Sequence, residues 1–185
     1  MTIQQNIQIS KSRAFDEVQK TTEYIGKKSM SADDHDAYNR IAAIDANREQ
    51  LDRYWMEACS GATQLMGHWL SGVTSQELSH HPEITSAHDY NVTLALPSNF
   101  NFSYLTTIRE ALMSYLVNSI VAKWLLMTMP TQAEAYAALA SGAAAQISQL
   151  LLERRRPTKR SPGASSDTAL WGGEQSWGGE QSWNN

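Results

Sequence analysis

Apolar residues recur at helical spacing in the first part of the chain. Residues at i, i+3, i+7 and i+10 share one face of the predicted helix, namely Phe15, Val18, Thr22 and Ile25. Ser12 is the predicted N-cap of this helix, and Gly26 is its predicted end. The stretch that follows, KKSMSADDHDAYNR, predicts a charged loop or a frayed helix start.

A second and longer helix is predicted from Asp45 to near Gly72. Its apolar residues step by four, three, four, three and four positions, and they are Leu51, Trp55, Ala58, Ala62, Leu65 and Trp69. This stripe is the most regular in the sequence. A helix of this length needs partners on its apolar side.

Strict alternation of apolar and polar residues up to Pro97 predicts one short β-strand. Its apolar members are Tyr90, Val92, Leu94 and Leu96. The N-terminal IQQNIQI and the weaker GVTSQEL are the two candidate partner strands. We expect a hairpin, or a strand completed by a neighbouring subunit, rather than a larger sheet.

Two helices are predicted to complete the body of the protein. Asn101 is the predicted N-cap of the first, which runs to Pro130 with its apolar face at Ile108, Leu112, Leu116, Ile120, Trp124 and Met127. Lys123 lies inside its apolar run, and a central Lys disfavours a membrane span, so a helix buried in a bundle or an oligomer is expected. Residues 131–134 form a predicted capping box for an Ala-rich last helix, with both helices packed antiparallel through a turn at Pro130.

The C-terminal segment has a different composition. It reads SPGASSDTALWGGEQSWGGEQSWNN and contains WGGEQS twice, so it cannot form a core of its own. Its tryptophans, Trp171, Trp177 and Trp183, recur every six residues. That spacing fits neither a helix nor a solenoid, but it places three equivalent anchors on one side of an extended peptide. We therefore predict a docking arm over residues 161–185.

Charge divides the chain into three parts. Residues 154–160 form a basic collar with five of the 15 basic residues of the chain, namely Arg154, Arg155, Arg156, Lys159 and Arg160. Residues 1–153 keep ten basic and 16 acidic residues, a net charge of -6, and the arm carries three acidic residues. An acidic body argues against sequence-independent nucleic-acid binding. The first three arginines suit a helix C-terminus, and the collar as a whole suits a phosphate or an acidic partner surface.

Candidate catalytic and metal-binding residues are few. His80, His81 and His88 lie near Glu83 and Asp89, but no helical ligand pair accompanies them, so a solvated loop is favoured over a metal site. The run at 33–36, DDHD, lacks the Gly and distal Glu of a calcium loop.

The single cysteine, Cys59, excludes a disulfide framework and a multi-cysteine metal site. It is predicted to be a buried structural thiol, because His68 is half a turn out of phase with it on a helix. No phosphate-binding glycine loop, dinucleotide fingerprint or nucleophile elbow occurs in the sequence. The N-terminus is polar and gives no sign of a signal peptide. We expect no enzyme activity, no cofactor and no bound metal.

The whole pattern resembles the head-to-tail connector (adaptor, neck-ring) proteins of tailed bacteriophages, in particular those encoded by phages of gut Bacteroidales. The resemblance rests on residues 12–153 as a helix pattern, on 154–185 as a docking region, and on the segments LDRYWMEACSGATQLM and ALPSNFNFSYLTTIREALMSYLVNSIVAKWLL. It maps onto no diagnostic motif. The repeated WGGEQS has no counterpart in that family.

The resemblance implies a mainly α fold, a helical bundle with a short β-strand or hairpin and an extended C-terminal arm. It further implies a virion structural protein, assembled in the host cytoplasm, that forms a homo-oligomeric ring of about twelve copies. The portal protein and other neck or tail proteins are the implied partners; genomic DNA passes through the ring without specific contact, and no membrane is involved. The tail tryptophans and the collar, Arg154 to Arg160, are the residues expected to bind partners.

Two other classes of function stay open on the sequence alone. A cytosolic helical regulator or chaperone-like protein would use the arm as a linear motif for a globular client. A metal-dependent helical enzyme would require His80, His81 or His88 to converge with carboxylates.

Overall fold

The computed structural model describes residues 2–30, 36–43, 47–71 and 89–154. The chain divides into a compact unit, Met1–Arg155, and a second unit, Arg156–Asn185, which lies outside the described residues. In the described part the protein is mostly helical, with five helices and one two-stranded sheet. The predicted fold class, a helical bundle with a short strand, is confirmed.

Eight-residue strands at the two ends of the first hundred residues form the sheet. β1 (Thr2–Ile9) pairs antiparallel with β2 (Tyr90–Pro97), so that Thr2 is opposite Pro97 and Ile9 is opposite Tyr90. The N-terminal candidate is therefore a partner of β2, and the other candidate, GVTSQEL, lies outside the described residues. The sheet is not a local hairpin, because α1, α2 and α3 lie between its strands in the sequence.

Helices α1 (Lys11–Ser29) and α2 (Ala37–Ile41) pack against each other. The predicted boundaries of α1 are wrong at both ends. Ser10, not Ser12, is the N-cap, and the helix continues through Gly26. Gly26 serves packing instead: a Cβ there would lie 3.2 Å from the Cα of Tyr38 in α2.

The predicted apolar face of α1 is present in the structure. Val18, Thr22 and Ile25 are buried and Phe15 is partly buried. The Thr22 hydroxyl donates to the Val18 carbonyl and accepts from the Ala43 amide, each at 3.0 Å, so the one polar member of this face has all its partners.

Helix α3 (Arg48–Met66) carries the stripe that was expected to be the most regular. Leu51, Trp55, Ala58 and Ala62 are buried, while Leu65 and Trp69 are partly buried at the edge of the core. The helix is shorter than predicted. Its N-cap is Asn47, the predicted first residue Asp45 lies outside the described residues, and a 3-10 turn over Gly67–Trp69 ends it before Gly72.

Helix α4 (Leu105–Leu125) is the centre of the core. Asn101 caps a 3-10 turn before it, since its side-chain oxygen accepts from the Ser103 amide at 3.3 Å. Seven of its residues are buried, namely Ile108, Ala111, Leu112, Leu116, Ile120, Val121 and Leu125. The expectation that this apolar run is a buried bundle helix is confirmed, and its end at Leu125 leaves the predicted Met127 87% exposed.

Helix α5 (Pro130–Leu152) follows α4 after a short turn and packs along it. The two helices are antiparallel, since a β-bridge joins Phe100, before α4, to Arg154, after α5. The predicted capping box at Thr131 and Glu134 is wrong, because Pro130 already occupies the first helical turn and Thr131 lies inside the helix. Pro is favourable there because the first amides of a helix have no partner in the helix.

Candidate functional site

The outward face of α5 is unusual for a helix at a protein surface. Residues spaced by four and three positions along it are all exposed, namely Thr131, Ala135, Ala138, Gly142, Ala145, Gln149 and Leu152. The helix has 23 residues and one charge, Glu134. Exposed helices normally carry charged residues on the outer side. Mostly small and apolar residues in a heptad spacing are typical of a seam between helices.

Most of the apolar residues of α5 are not buried within the subunit. Its buried residues are Ala133, Ala140, Ala143, Ile147 and Leu151. Only 22% of its most apolar 18-residue stretch is buried. Leu139 and Leu152 are 56% and 65% exposed. By length and composition alone, α5 is also the one helix among the described residues that is apolar enough to cross a membrane.

The basic collar begins where α5 ends, and the structure describes one of its residues. The Arg154 guanidinium donates to the carbonyls of Leu151 at 2.9 Å and Glu153 at 3.1 Å, and it lies 5.1 Å from the centre of the Trp69 ring. Arg154 therefore neutralises the negative end of α5, as expected for a basic residue at a helix C-terminus.

The other residues predicted to bind partners lie outside the described residues. These are Arg155, Arg156, Lys159, Arg160, Trp171, Trp177 and Trp183. Their roles, like the partner role of Arg154, stay predictions.

A groove of about 870 Å³ opens between the end of β1, the start of α1 and one side of α4. Ile9, Met113 and Val117 supply its apolar surface. Its charged residues are Arg13 and Glu17 on α1 and Arg109 and Glu110 on α4. Glu17 also accepts from Lys20 at 3.4 Å. Such a surface suits a peptide better than a single small ion, because apolar area and both signs of charge alternate along it.

The reactive side chains of the core are inaccessible. Burial raises the pKa of the Cys59 thiol to about 12, although the nearby Lys11 ammonium partly opposes this, so the thiol stays protonated at neutral pH. Burial also raises the pKa of Tyr90, whose hydroxyl lies 3.0 Å from that of Thr63. His68 is exposed and does not face Cys59. The structure therefore assigns the structural role expected for Cys59.

Lys11 and Asp52 form a buried ion pair that sequence reasoning missed. The Lys11 ammonium lies 2.8 Å from the Asp52 carboxylate, and the two side chains are 7% and 19% exposed. The same ammonium lies 5.2 Å from the centre of the Phe15 ring. The pair joins the start of α1 to α3, and nothing in the sequence near either residue signals it, because 41 positions separate them.

The predicted acidic and histidine clusters lie almost entirely outside the described residues. The residues outside are 33–35, His80, His81, Glu83 and His88. Asp89 is described: its carboxylate accepts from the Lys11 amide at 3.0 Å and from the Gln8 side chain at 3.1 Å, and so it ties β2 to β1 and α1. Asp36 precedes α2 without capping it through its side chain. Across residues 2–30, 36–43, 47–71 and 89–154, no three His, Cys, Asp or Glu side chains are placed to hold a metal ion.

Comparison with other proteins gives no family for the chain. No protein-family model, no curated protein and no solved structure matches it. The case for a function therefore rests on the surfaces described above and on the sequence of the arm.

Proposed function

We propose that the chain is a non-enzymatic structural subunit that assembles into a ring, the head-to-tail connector of a tailed bacteriophage. The single observation that carries the proposal is the outward face of α5, a heptad of small and apolar residues on a helix with one charge. An isolated subunit would expose this face to water, whereas a neighbouring subunit would cover it. The proposal places the protein in the virion, after assembly in the host cytoplasm.

The C-terminal arm has the second role in the proposal. Each Trp of the arm has about 150–250 Å² of surface to bury in a partner, and many copies in a ring make three modest anchors collectively hard to release. The receptor is the portal protein or a ring neighbour. The net charge of -6 on residues 1–153 gives a surface to which passing DNA does not adhere.

The oligomeric state of the full chain tests the proposal. We expect light scattering after size-exclusion chromatography to report a ring of many copies, and the chain truncated after Arg160 to elute as single folded subunits. A full chain that stays monomeric or dimeric at all concentrations would contradict the ring and favour the regulator or chaperone-like class.

A charge on the α5 face separates the contribution of this helix from that of the arm. Ala138→Glu places a carboxylate in the middle of the outward heptad, and we expect it to prevent assembly without unfolding the subunit. Gln64→Glu is the control, since it adds the same carboxylate at an exposed position of α3 rather than on the outward face of α5. Equal assembly of the two variants would remove the main support for the proposal.

A further inference from the structure

The open edge of β1 can be identified from a contact on the far side of β2. The backbone carbonyl of Thr93 accepts from the Ser71 amide at 3.0 Å, so the backbone amide and carbonyl of Thr93 point away from β1. In an antiparallel ladder, the backbone groups of two opposite residues either bond to each other or both point away from the partner strand. Thr93 is opposite Asn6. The amide and carbonyl of Asn6 therefore point away from β2, and by alternation so do those of Gln4 and Gln8.

The two edges of the sheet differ in what meets them. Leu70 forms a β-bridge with Leu94, and with Ser71 it covers part of the outer edge of β2. No described residue bonds to the outward backbone groups of Gln4, Asn6 or Gln8. β1 also lacks the usual protection of an edge strand, because TIQQNIQI contains no charge and no Pro, and its register with β2 is continuous.

The groove described above adjoins this edge. Gln8, Ile9 and Ser10 form one of its walls, and no residue of β2 lines it. A strand added along β1 would therefore run past an opening with an apolar floor at Ile9, Met113 and Val117. Strand addition of this kind draws affinity from main-chain hydrogen bonds and specificity from pockets for alternate side chains.

The C-terminal arm has the reach and the Trp spacing to be that strand. The bridge from Arg154 to Phe100 places the start of the remaining 31 residues beside the end of β2. Fully extended, that segment spans about 100 Å, enough to reach a neighbouring subunit. It has no Pro after Pro162, and its Trp spacing of six residues puts all three rings on one side of a strand.

We propose that the C-terminal arm, residues 161–185, of one copy pairs with the outer edge of β1 in a neighbouring copy and inserts a Trp into the groove beside Gln8–Ser10. This inference rests on the proposed function, because it names the receptor of the arm within the ring. Arg13 and Arg109 border the groove, where their guanidinium groups lie within reach of an inserted indole ring.

Two substitutions at Asn6 of the full chain test the pairing. Asn6→Pro removes an amide that points away from β2 and leaves the β1–β2 ladder intact, since Pro is tolerated where an edge strand needs no donor. Asn6→Thr keeps the amide and serves as the control. We expect Asn6→Pro to weaken assembly about tenfold or more, as the loss of a main-chain hydrogen bond and of strand register implies, and Asn6→Thr to assemble normally.

Amide hydrogen exchange gives a second measurement that does not depend on a variant at β1. In the assembled full chain we expect the amides of Gln4, Asn6 and Gln8 to exchange slowly. In the variant with Trp171, Trp177 and Trp183 all changed to Ser, we expect them to exchange at least tenfold faster, while the amides of Ile3, Gln5 and Ile7 keep their protection.

Mixing two cysteine variants of the full chain identifies the source of the arm. A disulfide between Asn6→Cys in one chain and Ser176→Cys in another supports pairing between copies. Disulfides confined to single chains in a double variant would overturn it. The ring could form through the arm while the outward β1 amides exchange freely and the Asn6→Pro variant assembles normally. That result would overturn β1 as the receptor of the arm, and the proposed function would stand. A chain that never assembles would overturn both.

Discussion

Helices α4 and α5 are neighbours in sequence and both are mostly apolar, yet the fold treats them differently. α4 has bulky apolar residues around most of its circumference and is enclosed by α1, α3, α5 and β1. α5 buries mainly alanine together with Ile147 and Leu151, and it leaves Leu139 and Leu152 exposed among alanine, glycine and glutamine. The comparison shows that apolar content alone does not determine burial. The size and distribution of the side chains decide whether a helix is enclosed within a subunit or is left to be covered from outside.

The largest expected difference is the response to losing a leucine. Leu116 of α4 is fully buried, so Leu116→Ala leaves a cavity and should lower the free energy of unfolding by about 3 kcal/mol. Leu139 of α5 is 56% exposed, and Leu139→Ala should change it by less than about 0.5 kcal/mol. Chemical denaturation of the unassembled subunit measures both. A similar loss of unfolding free energy for the two variants would mean that Leu139 is as enclosed as Leu116.

Glycine substitutions sharpen the comparison at an intermediate scale. A Cβ at Gly61 of α3 would lie 2.5 Å from the hydroxyl of Tyr115 on α4, so Gly61→Ala forces the ring to move, at a cost of about 1–3 kcal/mol that cancels or exceeds the helix-propensity gain of about 1 kcal/mol. A Cβ at Gly142 of α5 would meet nothing within 4 Å, so Gly142→Ala should stabilise the unassembled subunit by about 1 kcal/mol through helix propensity. Thermal unfolding should therefore show a higher midpoint for Gly142→Ala than for the unchanged chain, and no such rise for Gly61→Ala. A destabilising Gly142→Ala would show that the outward face is already occupied within the subunit.

The smallest expected difference is at the starts of the two helices. Asn101→Ala removes the side-chain oxygen that accepts from the Ser103 amide and should lower the free energy of unfolding by about 1 kcal/mol or less. Thr131→Ala should have almost no effect, because Thr131 lies inside α5 and Pro130 already begins the helix. Denaturant midpoints of the two variants test whether a side-chain cap or Pro130 stabilises the start of each helix. An equal loss of unfolding free energy for Thr131→Ala would support the capping box predicted for α5.

The elements that sequence reasoning predicted well are those whose signal is local. Helical spacing alone places four residues of α3 on the side that faces the protein core, namely Leu51, Trp55, Ala58 and Ala62. The alternation from Tyr90 to Leu96 likewise predicts β2 with its correct end at Pro97. These patterns need no knowledge of what the element contacts.

The errors occur where a residue serves a distant contact. Gly26 is the predicted end of α1, but it lies inside the helix, where the close approach of Tyr38 from α2 leaves little room for a Cβ. The groove could not be predicted, since its walls come from β1, α1 and α4. The four-and-three spacing from Thr131 to Leu152 is visible in the sequence, but the spacing alone does not tell whether another helix of the same subunit covers that face.

The pairing of β1 with β2 also has a consequence for synthesis on the ribosome. β1 ends at Ile9 and β2 begins at Tyr90, so β1 emerges from the ribosome well before its partner. Contacts of such long sequence separation form late, because loop closure must precede them. An uncharged segment, TIQQNIQI, therefore waits unpaired while α1, α2 and α3 are made. Helix α4, which packs against β1, is made only after β2, so the strand gains its full support later still.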